Sequence, residues 1–249
     1  MNRPLLQPVL LVNVAHLYDT RVTTMRMRTW DLVRNLVEAG CTPTARNSKG
    51  DPVLEGTIER EHTSLVELLL SHNVQFPSEI LLFALRQRST PKMIQLLIRK
   101  GANVHSTTSD GDTILHLAIA EYAEVMCCHL VKSLIVAGCN PTSRNSKGRT
   151  VLEAAIQREY IWVVELLLSR CNVPFPPDIL LFAIRKRSTL MMIRSLVHSG
   201  ADHHATMFES RWDDLLQIVH ASYSGQDCQQ IIEFLGAARK PIIRVTAPQ

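Results

Sequence analysis

Short apolar runs recur along the chain, each followed by a polar stretch and another run. The pattern [VI]-x-x-[LF]-[VIL] begins at Val33, Val66, Ile94, Val131, Val164, Ile193 and Ile231, at intervals of 33, 28, 37, 33, 29 and 38 that average 33 residues. Seven positions after each start stand Gly40, Asn73, Gly101, Gly138, Cys171, Gly200 and Ala238. Most are Gly or Asn, the residues that best tolerate the left-handed conformation ending a helix. Before each run lies a shorter apolar segment, as in VLEGTI (53–58), ILLFAL (80–85) and ILHLAI (114–119). Ala, Leu, Glu and Arg dominate these segments and β-branched alternation is absent, so the pattern predicts helix–turn–helix units rather than strands.

The repetition also reaches the letters. Arg46-Asn47-Ser48-Lys49-Gly50 returns as Arg144-Asn145-Ser146-Lys147-Gly148, VLEGTIEREHTSLVELLLS (53–71) as VLEAAIQREYIWVVELLLS (151–169), and FPSEILLFALRQRST (76–90) as FPPDILLFAIRKRST (175–189). A block of nearly a hundred residues is therefore duplicated, and such periodicity is the mark of a repeat array whose units bury their faces against one another. The turns at Ser48-Lys49-Gly50, Ser109-Asp110-Gly111 and Ser146-Lys147-Gly148 place glycine where a tight reversal needs it.

Gly111-Asp112-Thr113-Ile114-Leu115-His116-Leu117-Ala118 resembles the G-x-T-P-L-H-x-A signature of the ankyrin repeat, with Ile114 in place of proline. Gly148-Arg149-Thr150-Val151-Leu152-Glu153 is similar with Glu153 at the histidine position, and Gly50-Asp51-Pro52-Val53-Leu54-Glu55 departs further. Glu61-His62 before Val66 resembles the family's G-H-x-x-x-V segment, with Glu replacing Gly. The duplicated block is also similar to tandem ankyrin arrays of fungal proteins. The resemblance implies an all-α ankyrin-repeat solenoid of stacked helix–turn–helix units with short finger hairpins, the glycine turns being the finger tips. The array would span 1–238, in units of about 1–40, 41–73, 74–101, 102–138, 139–172, 173–200 and 201–238, with 239–249 as a tail or cap. The short intervals of 28 and 29 fall before the third and sixth units, whose connections HNVQFPSE and CNVPFPPD are too short for a full finger. The fingered edge is expected to be gapped there.

Composition narrows function mainly by exclusion. Hydrophobic residues make up 46% of the 249, which excludes wholesale disorder, and the net charge of +4 is too small to name nucleic acid as a partner. Six cysteines are too few for a secreted disulfide scaffold and point to a reducing interior, cytoplasm or nucleus. The early apolar stretch PVLLVNVAHL (8–17) is about half the length of a bilayer span and has no small-x-small cleavage site after it, so no membrane role is expected.

Candidate chemistry is sparse. Cys127-Cys128-His129, even with His203-His204, lacks the spaced ligand pairs of a zinc site, so no metal is expected. Cys128 and Cys228 share a repeat position and read as small packed residues. Glu55 and Glu153 are repeat equivalents on different units rather than a catalytic pair. His116 matches the family histidine that bonds within the hairpin–helix junction. No phosphate loop, nucleophile elbow or metalloprotease motif occurs. The expectation is a non-enzymatic scaffold without cofactor that binds another protein, an extended or mixed-charge segment, through fingers and concave inner helices. Its contact positions would be Arg46, Asn47, Lys49, Asp110, Asp112, Arg144, Asn145, Lys147 and Arg149. The alternative is a nucleotide- or RNA-binding sensor using a basic rim at inner-helix ends, Arg86, Arg88, Arg185, Lys186 and Arg187.

Overall fold

The computed structural model describes residues 53–70, 77–171, 173, 174, 176, 178–200 and 209–239. These hold twelve α-helices and no strand, in the helix–turn–helix order expected. They form six pairs: α1 (Val53–Glu59) with α2 (Thr63–Leu69), α3 (Ile80–Arg86) with α4 (Pro91–Arg99), α5 (Ile114–Glu121) with α6 (Glu124–Val136), α7 (Val151–Gln157) with α8 (Ile161–Arg170), α9 (Ile179–Arg185) with α10 (Leu190–His198), and α11 (Glu209–Ser222) with α12 (Gly225–Arg239). The two helices expected around Val33 lie outside the described residues.

The chain divides into two compact parts, residues 1–109 with 136–139, and residues 110–135 with 140–249. In the first part α1 packs on α2 and α3 on α4, and the pairs stack first helix on first helix and second on second. In the second part α5, α7, α9 and α11 stack in that order, with α8, α10 and α12 stacked beside them. The stacking surface is the periodic apolar stripe. Leu65, Val66 and Leu69 of α2 are buried, as are their counterparts Val163, Val164 and Leu167 of α8. In α4 the stripe is Met93, Ile94, Leu96 and Leu97, and Pro91 at the helix start supplies a fixed φ where no hydrogen-bonding N–H is needed.

Three second helices close as the sequence pattern predicts, at Gly101, Gly138 and Gly200 with φ of 91°, 102° and 96°. Cys171 departs from it. It ends α8 in the right-handed region, φ −103°, because its Cβ disfavours the left-handed one. Positive φ instead recurs between the two helices of a pair, at Glu61, Arg88, Glu159 and Arg187 (56°, 54°, 59° and 59°). These four residues occupy a conformation that favours glycine, and at Glu61 and Glu159 the side chain reaches the next helix pair. The Glu61 carboxylate accepts from Thr90 N–H at 2.8 Å and Thr90 Oγ1–H at 2.7 Å, and Thr90 is the N-cap of α4. Glu159 accepts likewise from Thr189 N–H at 3.2 Å and Oγ1–H at 2.9 Å, at the N-cap of α10. One pair's turn thereby caps the next pair's second helix.

Candidate functional site

The finger at 144–150 is a minimal hairpin: a bridge between Arg144 and Thr150, with Gly148 N–H donating to the Asn145 carbonyl at 2.9 Å. Asn145 organises it. Its Oδ1 accepts from Lys147 N–H at 3.1 Å and Arg149 N–H at 2.9 Å, while its Nδ2 donates to Asp112 Oδ1 of the preceding finger at 2.7 Å. Ser146 Oγ donates to the Asp110 carbonyl. The tips meet so closely that a Cβ on Gly111 would lie 2.8 Å from Ser146 N. Below them His116 Nδ1 accepts from Thr113 Oγ1–H at 2.8 Å and its Nε2–H donates to the Arg149 carbonyl at 3.0 Å. Burial, ahead of any neighbouring charge, holds this imidazole below its ordinary pKa of 6.5 and favours that neutral form.

Of the sequence-derived contact positions, Asp110, Asp112, Arg144, Asn145, Lys147 and Arg149 come together on these two fingers; Arg46, Asn47 and Lys49 lie outside the described residues. The six divide by role. Asn145 and Asp112 tie finger to finger, Arg144 spends one N–H on the Gly148 carbonyl at 2.7 Å, and the Arg149 carbonyl accepts from His116. Asp110 and Lys147 are exposed at the tips.

A cleft of about 580 Å³ lies beside the 144–150 hairpin and the short connection before α9. Leu181, Phe182, Leu215 and Ile218, from α9 and α11, give it an apolar floor, and Arg144, Arg185, Glu153, Asp178 and Asp214 ring it with both signs of charge. Glu153 is partly committed, since its carboxylate and the Thr150 hydroxyl form a capping box at the start of α7. Asp178 precedes α9 as its N-cap and makes no side-chain capping bond, and both it and Asp214 are exposed.

The basic helix ends behave differently from one another. Arg86, Arg88, Arg185, Lys186 and Arg187 are all exposed, but Arg185 turns to the cleft and Lys186 Nζ lies 5.7 Å from the centre of the Phe182 ring. Sequence reasoning named Arg185 for another surface and passed over Asp178 and Asp214. The T-x-x-E spacing of Thr150 and Glu153 was the available signal for the capping box.

Among the described residues no three His, Cys, Asp or Glu side chains gather as metal ligands; His203 and His204 lie outside them. Burial pushes Cys127 up to about 12 and Cys139 up to about 11, so both persist as thiols. Among the described residues no helix is long and apolar enough to cross a membrane.

A family model described as ankyrin repeats (3 copies) matches residues 81–175. Among curated proteins, the chain is 32% identical over 135 residues to the E3 ubiquitin-protein ligase KEG of Arabidopsis thaliana, covering 51% of this chain and 8% of that protein. It is 36% identical over 67 residues to the Nuclear factor NF-kappa-B p110 subunit of Drosophila melanogaster, covering 26% of this chain and 6% of that one. The chain thus spans only a small fraction of the length of either relative.

Proposed function

This chain carries ankyrin repeats over residues 81–175, and from that premise we propose that it is a non-enzymatic protein-interaction module. Repeats of this family generally mediate protein–protein contact. We assign the docking surface to the cleft beside the missing finger together with the two tips above it. The observation that carries this reading is the lining of the cleft: an apolar floor ringed by Arg144, Arg185, Glu153, Asp178 and Asp214. Such a lining favours an extended segment that buries aliphatic or aromatic side chains and carries charges of both signs. Rim charges set register and association rate, while the floor supplies the area removed from water.

The same lining weighs against the alternative of a nucleic-acid sensor. A polyanion set beside Arg185 would also face Asp178 and Asp214. Trp162 is exposed, as a stacking platform must be, but it stands at the start of α8 and does not line the cleft.

The test is affinity capture with the wild-type chain and with Asp178→Lys/Asp214→Lys, both exposed positions whose change should leave the fold intact. A partner should be captured by the wild type and depleted with the double variant, and its capture should survive nuclease. Equal capture by both chains overturns the cleft assignment. Nuclease-sensitive capture overturns the protein-binding reading.

A further inference from the structure

A second cavity, of about 400 Å³, opens in the last helix pair and shares no lining residue with the cleft. Cys228, His220, Tyr223, Gly225 and Ile232 line it. Within it Cys228 Sγ lies 3.4 Å from His220 Nδ1, so the thiol and a base are already in hydrogen-bonding contact. Cys228 is nearly buried among apolar neighbours, whereas His220 is exposed and can pass a proton to solvent.

We propose that Cys228 is a thiol-modification site at which His220 acts as the base, accepting a low-molecular-weight disulfide into the cavity. His220 Nδ1 takes the thiol proton, and the sulfur lone pair attacks one sulfur of the disulfide. The S–S bond breaks, and the departing thiolate takes the proton back from the imidazolium. One disulfide is exchanged for another, so no external oxidant or reductant enters the balance.

The surroundings fit this chemistry. A nucleophile within hydrogen-bond reach of a base is the arrangement that activates a thiol. Cys228 stands in the first turn of α12, beside Asp227. Tyr223 does not compete for the proton: its hydroxyl donates to the Ser188 carbonyl at 2.6 Å, and burial with the nearby Glu159 charge pushes the phenol up to about 12.

Cys128 provides the internal contrast at the equivalent repeat position. Its Sγ–H points to the Trp162 carbonyl at 4.0 Å rather than to a base, and burial, aided by Glu124, raises its pKa. Among the described cysteines, Cys228 is the one with an imidazole at hydrogen-bonding distance.

The test uses the native chain and 4,4′-dithiodipyridine, a neutral aromatic disulfide, with thione release followed by absorbance and each site assigned by peptide mass. Cys228 is expected to form its mixed disulfide before Cys127 and Cys139. His220→Gln should slow Cys228 by about a hundredfold or more, the lower reach of a lost general base, while the rate at Cys171 and the helical circular dichroism stay unchanged. His220→Ala should regain rate on addition of free imidazole. Labelling of Cys228 no faster than Cys127 or Cys139, an unchanged rate in His220→Gln, or no rescue by imidazole would each overturn the assignment.

Discussion

Replacing Glu159 by glycine and by alanine should give stabilities in the opposite order from most positions in a helical protein. Glu159 has φ of 59°, so its backbone carries a left-handed conformation that costs a non-glycine residue about 1–2 kcal/mol. Its carboxylate offsets that strain by accepting two hydrogen bonds from Thr189, at 3.2 Å and 2.9 Å. Hydrogen bonds to a charged group contribute about 1.5–3 kcal/mol, and at this exposed location the pair is discounted toward about 1–2 kcal/mol. Alanine removes the bonds and keeps the strain, and should cost about 1–2 kcal/mol. Glycine removes the same bonds and releases the strain. Alanine at positive φ is worse than glycine by more than about 0.4–1 kcal/mol even after glycine's extra unfolded-state freedom is counted. The order expected in urea denaturation followed by circular dichroism is wild type, then Glu159→Gly, then Glu159→Ala. Alanine at least as stable as glycine would refute the strained-clamp reasoning. Glu61, with φ of 56° and the same bonds to Thr90, should repeat the order independently.

Leu167→Ala should cost about 2–5 kcal/mol, because the side chain is fully buried on α8, which packs against both α7 and α10; Lys147→Ala at an exposed tip should change urea stability by no more than about 0.5 kcal/mol. Stability should also fall on acidification through His116. Its folded-state pKa is depressed, so the unfolded chain binds the proton first. The contribution is fully present above the unfolded value of 6.5 and is lost as pH falls from there through the folded value. The urea midpoint should drop less steeply below pH 6.5 in His116→Asn than in the wild type, and identical slopes would contradict a buried neutral imidazole.

Fold and period were legible because stacked repeats write their contacts locally. Each buried residue meets a neighbour about one repeat away, so the apolar run that buries Val66, Ile94 and Val164 also recurs from one repeat to the next. Asn145 was readable as a turn residue, but its bond to Asp112 was not, because that bond depends on two tips approaching closely enough to exclude a Cβ at Gly111. Glu61 was readable as a substitution for glycine. Its second role was hidden, since the partner Thr90 belongs to the next helix pair. The cleft was half legible: the short connection before α9 announced a gap, but the acidic Asp178 and Asp214 carry no motif and become neighbours only when α9 and α11 stack. The Cys228–His220 pair escaped for the same reason, eight positions apart across a helical hairpin.

Successive helix pairs are tied at two ends, through the finger and through the turn between the paired helices. Where a finger is present, at 144–150, the neighbours are joined through it: Asn145 to Asp112, Ser146 to the Asp110 carbonyl, and the Arg149 carbonyl to His116. Before α9 the connection is shorter than the one that carries the 144–150 finger. At the opposite end of the helices Glu159 caps Thr189, and the fingered interface has ties at that end too, from Trp162 N–H to the Glu124 carboxylate and from Tyr160 O–H to the Tyr122 carbonyl. Glu61 caps Thr90 in the same way. A carboxylate at the left-handed turn thus adds a tie that a glycine there, as the family pattern has it, would lack, leaving the Ser195 hydroxyl on the Glu165 carboxylate as a remaining polar bond between the pairs that Glu159 joins. The floor of Leu181, Phe182, Leu215 and Ile218 lies beside the short connection before α9. Neither Glu159 nor Thr189 lines the cleft, so the clamp can be weakened or strengthened without touching a residue that does.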